Sequence, residues 1–163
     1  MAEPTAPDTV ELYVRSLAPG PAGSRQEATI ERLERLVDRR AVEEYAVHVW
    51  GARVALSTTA ARTDAGRFVL DRLAAFRRWA AGADASLEPF FETRETHSSI
   101  TGEVYATVEL PVLALAEYRD GRLTGVSPHA GDDGVVTVGD RLDALAGDGP
   151  GVAAGGTPSL AGQ

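Results

Sequence analysis

From Thr9 to Leu17 apolar and polar residues alternate: Val10, Leu12 and Val14 interleave with Glu11, Tyr13 and Arg15. A period of two predicts a strand with one buried face. Ala18 to Gly23 (APGPAG) breaks the pattern as a Pro/Gly loop. Ser24 with Glu27 then reads as an S-x-x-E capping box, in which each side chain bonds the other's free backbone N–H and so starts a helix. Ile30, Leu33, Leu36 and Val37 fall on one arc of that helix, which runs to about Arg40. Its charges form an acidic stripe (Glu27, Glu31, Glu34, Asp38) beside a basic one (Arg32, Arg35, Arg39), the pattern of a solvated, self-paired face.

Glu44 to Trp50 (EYAVHVW) alternates again and predicts a second strand, ended by Gly51. A polar stretch from Ser57 to Thr63 leads to a second helix, which Gly82 closes. Phe68, Val69, Leu73, Phe76, Trp79 and Ala80 cover one face of it. Leu87 to Thr96 reads as an edge strand, because Pro89 is poorly tolerated in a central one. Leu110 to Tyr118 is nearly continuously apolar, as a strand buried on both faces should be. Arg119-Asp-Gly-Arg122 signals a hairpin, with Leu123 to Ser127 returning. Thr137 with Asp140 caps a short closing helix that ends near Ala146. The expected organisation is a flexible N-terminus (1–8), one α/β domain (9–146) and a disordered Gly/Ala/Pro-rich tail (147–163).

This order resembles the thioredoxin-like fold, a mixed sheet flanked by helices, over about Thr9 to Ala146. That resemblance implies a cis-proline opening the third core strand, here Pro111, opposite the loop Pro19 to Ser24. Both thiol positions lack cysteine, so thiol–disulfide exchange is ruled out. A ferredoxin-like α+β sandwich is the alternative architecture.

Composition narrows the chemistry. The 163 residues contain no cysteine, which excludes disulfides, thiolate nucleophiles and cysteine-bound metal. His48, His97 and His129 stand at no metal-ligand spacing, and no cofactor motif is present. All 16 basic residues are arginine against 24 acidic ones, a net charge of −8. Lysine depletion with abundant Ala, Gly, Val and Asp implies a GC-rich, salt-adapted source, or else a GC-rich mesophile. No apolar run reaches the length of a membrane span, and no signal peptide is read at the N-terminus. A cytoplasmic location is therefore expected.

The runs VELYVRSLAP, SRQEATIERLERL and VEEYAVHVWGARV, with Leu110 to Tyr118 and the DGRL turn, resemble a family of small haloarchaeal proteins labelled helix-turn-helix domains. That resemblance implies DNA-binding transcriptional control. A helix-turn-helix joins two helices by about 3–4 residues, whereas a predicted strand separates the two helices here.

Two places are candidate binding sites. The loop Gly20 to Arg25 feeds a helix N-terminus, where Ser24 and Arg25 would add a hydroxyl and a charge for an anion. Arg72 lies by helical angle inside the apolar arc beside Phe68, Phe76 and Trp79, so its guanidinium must find a carboxylate, stack on a ring, or snorkel to water. With Arg67, Arg77 and Arg78 it makes this helix locally basic. No nucleophile, base and orienter assemble in the sequence. The reading is a non-catalytic regulatory or protein-interaction module with a protein partner and without a cofactor; DNA binding is the alternative, and a membrane is not a partner.

Overall fold

The computed structural model describes residues 7–16 and 21–147. Residues 1–6, the loop at 17–20 and the tail at 148–163 lie outside the described residues. The elements are β1 (Thr9–Val14), α1 (Pro21–Asp38), β2 (Glu44–Val49), β3 (Arg53–Leu56), α2 (Thr58–Arg62), α3 (Asp64–Gly82), β4 (Thr93–His97), β5 (Val104–Glu109), β6 (Leu113–Arg119), β7 (Arg122–Ser127), β8 (His129–Gly131), β9 (Gly134–Val136) and α4 (Val138–Ala146).

The main sheet is mixed, in the order β2-β1-β6-β7, with β1 and β2 parallel and the other neighbours antiparallel. Helices cover both of its faces. Val10, Leu12, Val14 and Leu115 pack with Leu33 and Leu36 of α1 and Val138 and Leu142 of α4. On the other face Tyr13, Ala114, Ala116 and Val126 pack with Val69, Leu73, Phe76 and Ala80 of α3. The expected α/β class therefore holds, and β6 is the central buried strand that its apolar run predicts. The ferredoxin-like alternative fails, because that fold splits its βαβ unit with an intervening strand, while β1 and β2 here pair directly.

Several local expectations need correction. The first helix begins at Pro21, where a proline's missing N–H costs nothing; this places Ser24 inside the first turn and not at a cap. The central strand begins at Leu113, not Leu110. Leu110 donates its N–H to Ala52 O (2.8 Å), and Pro111 precedes the ladder in a trans bond; the cis peptide is Ser127–Pro128. The cis-proline implied by the thioredoxin resemblance is thus absent at Pro111. The β6–β7 turn does form as its Asp-Gly pair predicts, with Asp120 and Gly121 both at positive φ (54° and 78°). Thr137 and Asp140 make the expected reciprocal cap on α4.

A second, three-stranded sheet, β3-β5-β4, was not legible as such. Within the expected Leu87–Thr96 strand, Leu87 to Phe91 instead forms a turn, in which Phe90 and Phe91 donate to Leu87 O. The turn buries Leu87 and Phe91 in the α3 core, and pairing starts only at Thr93. The polar stretch before α3 is itself helical: Ser57 caps α2, accepting from Ala60 N at 3.1 Å. A single residue, Thr63, separates α2 from α3 and caps α3 by accepting from Gly66 N at 2.9 Å.

Gly66 makes this elbow possible. A Cβ there would stand 2.1 Å from Ala60 O and 2.7 Å from Thr63 Oγ1. Alanine is intrinsically better than glycine in a helix by about 1 kcal/mol, so an open elbow would be stabilised by Gly66→Ala. Because the elbow is closed, overpacking outweighs that gain, and the expected result is a net loss of about 1–2 kcal/mol in urea unfolding.

Candidate functional site

Strand β1 points Glu11 and Tyr13 toward α3, the face that its alternation assigns to polar residues. Alanines stand beside them in register, Ala46 and Ala116 next to Glu11 and Ala114 next to Tyr13. These small side chains leave room for Arg72, which descends from α3. Its Nε donates to Tyr13 Oη (2.8 Å) and its Nη2 lies 3.5 Å from Glu11 Oε2. Tyr13 Oη in turn donates to Glu11 Oε1. The Arg72 guanidinium also stacks over Phe68, 4.7 Å from the ring centroid.

His48, in register with Tyr13, completes the cluster. It stacks on Tyr13 (5.3 Å, 29°), lies 5.0 Å from the Phe68 ring, and holds Nε2 3.7 Å from Glu11 Oε2. One carboxylate thus faces a guanidinium, a phenol and an imidazole. Burial, followed by the Glu11 hydrogen bond and charge, raises the Tyr13 phenol far above its ordinary range. Tyr118 is raised too, by burial and then by the Glu11 charge. Burial alone would lower the Arg72 pKa, but Tyr13 and Glu11 outweigh it and raise it. At neutral pH Tyr13 is therefore a donor and not a base.

The structure brings Arg72 and Phe68 together but disperses the other expected site residues. Trp79 sits farther along α3, where Nε1 donates to Thr124 O (3.0 Å) at the outer edge of β7 and the ring meets His129 edge-on at 5.3 Å. It lines a cavity of about 300 Å3 with Glu117, His129 and Arg141. Arg25 is exposed, and its carbonyl accepts from Thr29 Oγ1 (2.9 Å). The side chain of Ser24 lies outside the described residues, so the anion-site expectation finds no structural account. Pro111 lies beside the end of β1, where Arg15 N bonds Val112 O (3.2 Å). Sequence reasoning missed Glu11, Tyr13, His48 and Tyr118; the signal was the arginine inside the apolar arc of α3, which requires a carboxylate beneath it.

Among the described residues, no group of three or more His, Cys, Asp or Glu could hold a metal ion. No helix is long and apolar enough to cross a membrane. A helix-turn-helix domain family matches residues 2–149. The chain belongs to that family. No curated protein and no solved structure matches it. In this helix-turn-helix family member, the one pair of helices adjacent in the chain, among the described residues, is α2 and α3. The expectation that a strand separates the two helices holds only for α1 and α3. Arg62 and Arg67 are exposed beside the α2–α3 elbow, and Arg78 is exposed about four turns along α3. Arg77 lies 3.4 Å from Thr93 Oγ1, and Arg72 is committed to Glu11 and Tyr13.

Two predictions follow from the cluster. Glu11→Ala leaves Arg72 and Tyr13 without their acceptor and should cost about 2 kcal/mol in urea unfolding. The second concerns alkaline pH, where the chain has no lysine or cysteine to titrate and its four tyrosines carry the signal. Below about pH 10 the phenols are protonated in both states, and the stability is fully present. As pH rises further the unfolded chain loses those protons first, so stability should fall by about 1.4 kcal/mol per pH unit for each raised tyrosine. Tyr13→Phe should reduce that slope in unfolding measured across the alkaline range.

Proposed function

We propose that this protein is a DNA-binding transcriptional regulator whose contact surface is the outer side of the α2–α3 elbow. The observation that carries the reading is the family match across residues 2–149. The elbow supports it: two helices meet at a tight turn with a glycine at their contact, Arg62 and Arg67 are exposed beside it, and Arg78 is exposed farther along α3.

A protein-interaction module is the second reading. It is favoured by the net charge of −8 and by the burial of Val69, Leu73, Phe76 and Ala80, which pins α3 to the sheet. Arg72 is a poor anchor for such a partner, since Glu11, Tyr13 and Phe68 already hold it.

Binding to genomic fragments across a salt series separates the two. Each phosphate contact contributes about 0.9 to the slope of log affinity against log salt. Replacing Arg62, Arg67 and Arg78 together by alanine should weaken binding and reduce that slope by about 2–3, with Arg94→Ala as an unaffected control. No DNA binding by the wild type at any salt concentration would overturn the proposal in favour of the protein-interaction reading.

A further inference from the structure

The four-stranded and three-stranded sheets have four outer strands, and three of these carry a recognisable guard against pairing with another chain. Trp79 donates its indole N–H to Thr124 O on the outer edge of β7. Strand β4 (TRETH) is charged, with Arg94, Glu95 and His97. Strand β3 is four residues long, opens on Arg53 and runs into α2. Short strands, edge charges and covered edges are the usual protections. Strand β2 (EYAVHV) is less guarded: among the described residues it has no proline, no arginine and no bulge, its one acid, Glu44, stands at its first position, and its middle is apolar. Val49 at its end is 52% exposed.

The hydrogen bonds of β2 fix which groups are free to pair outward. Glu44 N bonds Asp8 O (3.2 Å) and Trp50 N bonds Val14 O (2.9 Å). In a parallel ladder of that register the N–H groups of residues 44, 46, 48 and 50 face β1. Those of Tyr45, Val47 and Val49 therefore point away from the sheet.

We infer that β2 pairs antiparallel with β2 of a second copy of this chain, about a two-fold axis at Ala46, joining the two main sheets into one. In this register Tyr45 forms the hydrogen-bonded pair with Val47 of the partner subunit, an aromatic against a β-branched side chain. Glu44 then stands opposite His48 of the partner subunit, and the symmetry makes that pair twice. The strand is self-complementary, which is what an isologous interface requires. The inference does not depend on DNA binding.

Because the chain has no cysteine, a single introduced thiol reports the register. Across a non-hydrogen-bonded antiparallel pair the Cα atoms lie about 4.5 Å apart, within disulfide range. Oxidised Ala46→Cys should run as a covalent dimer on a non-reducing gel, while Val47→Cys and the β3 control Ala55→Cys should not. The wild type should sediment as a dimer, and Ala46→Arg, which sets like charges face to face while placing an arginine beside Glu11, should weaken the dimer by about tenfold or more. Circular dichroism confirms that each variant folds. A monomeric wild type at the highest attainable concentration would overturn the inference, whether the edge stays bare or residues 148–163 prove to cover it. Cross-linking through residue 47 in place of 46 would overturn it equally.

Discussion

A sheet covered by helices on both faces leaves its central strands no dry side and wet side, so every charged group on them must find its counter-charge from the helix above it. The main sheet carries one such carboxylate on each face. Glu11 of β1 is met by Arg72 of α3, and Glu117 of β6 by Arg141 of α4, which grips both carboxylate oxygens at 2.7 Å. The two acids sit on adjacent strands, since Val10 pairs with Glu117 and Glu11 with Ala116. Each pair fixes the position of a helix over the sheet. Removing one partner of such a pair costs far more than the pair itself contributes, so the arrangement favours a single docking of α3 and of α4 over net stability. Arginine suits the task better than lysine because its planar fork can hold two oxygens, or an oxygen and a phenol, at once.

This constraint also explains what was legible in the sequence. Strands β1, β2, β6 and β7 and helices α1, α3 and α4 follow from periodicity, caps and the Asp-Gly turn, because those signals are local. The polar half of β1's alternation misled: Glu11 and Tyr13 look like a solvated face, yet Tyr13 is fully buried and stacks on Trp50 (4.7 Å) and against Phe76. Alternation states which residues share a face, not whether a helix covers it. Arg72, inside the apolar arc of α3, was the one clue that something ionic lay beneath. Strands β3 and β5 escaped notice because they are half exposed, β3 is only four residues long, and their pairing in a separate sheet is set by contacts distant in the chain. At Leu87–Phe91 burial of two large side chains in a turn was mistaken for strand alternation.

Among the described residues the family match spans all three sheets and all four helices, so the unit it defines is the whole α/β domain and not an isolated pair of helices. Within that unit the α2–α3 elbow is held from below. The inner face of α3 is core, and α2 follows directly from β3 of the second sheet. Any surface the elbow offers is therefore presented rigidly, with its orientation set by the sheet and its tightness by Gly66. The free helix surface lies on the side of Arg62, Arg67 and Arg78, away from the Glu11 cluster. The cluster thus fixes the position of α3 over the sheet.

The acidity of the chain bears on how such a surface would work. Several arginines are committed to ion pairs within the chain: Arg72 and Arg141 to the sheet, Arg32 to Asp143, and on the surface Arg53 to Glu109 and Arg94 to Glu92. In molar salt the screening length falls to about 3 Å. The surplus carboxylates then no longer repel a polyanion at a distance, and contacts are decided locally. The same salt removes most of the counterion-release gain that drives phosphate binding. A few arginines on one elbow would be a weak ligand for DNA under those conditions. Two elbows held in a fixed relation by paired β2 strands would convert the second contact into an intramolecular one, which raises avidity without any new contact. Under those conditions a twofold assembly would raise the affinity of so small a basic surface for DNA.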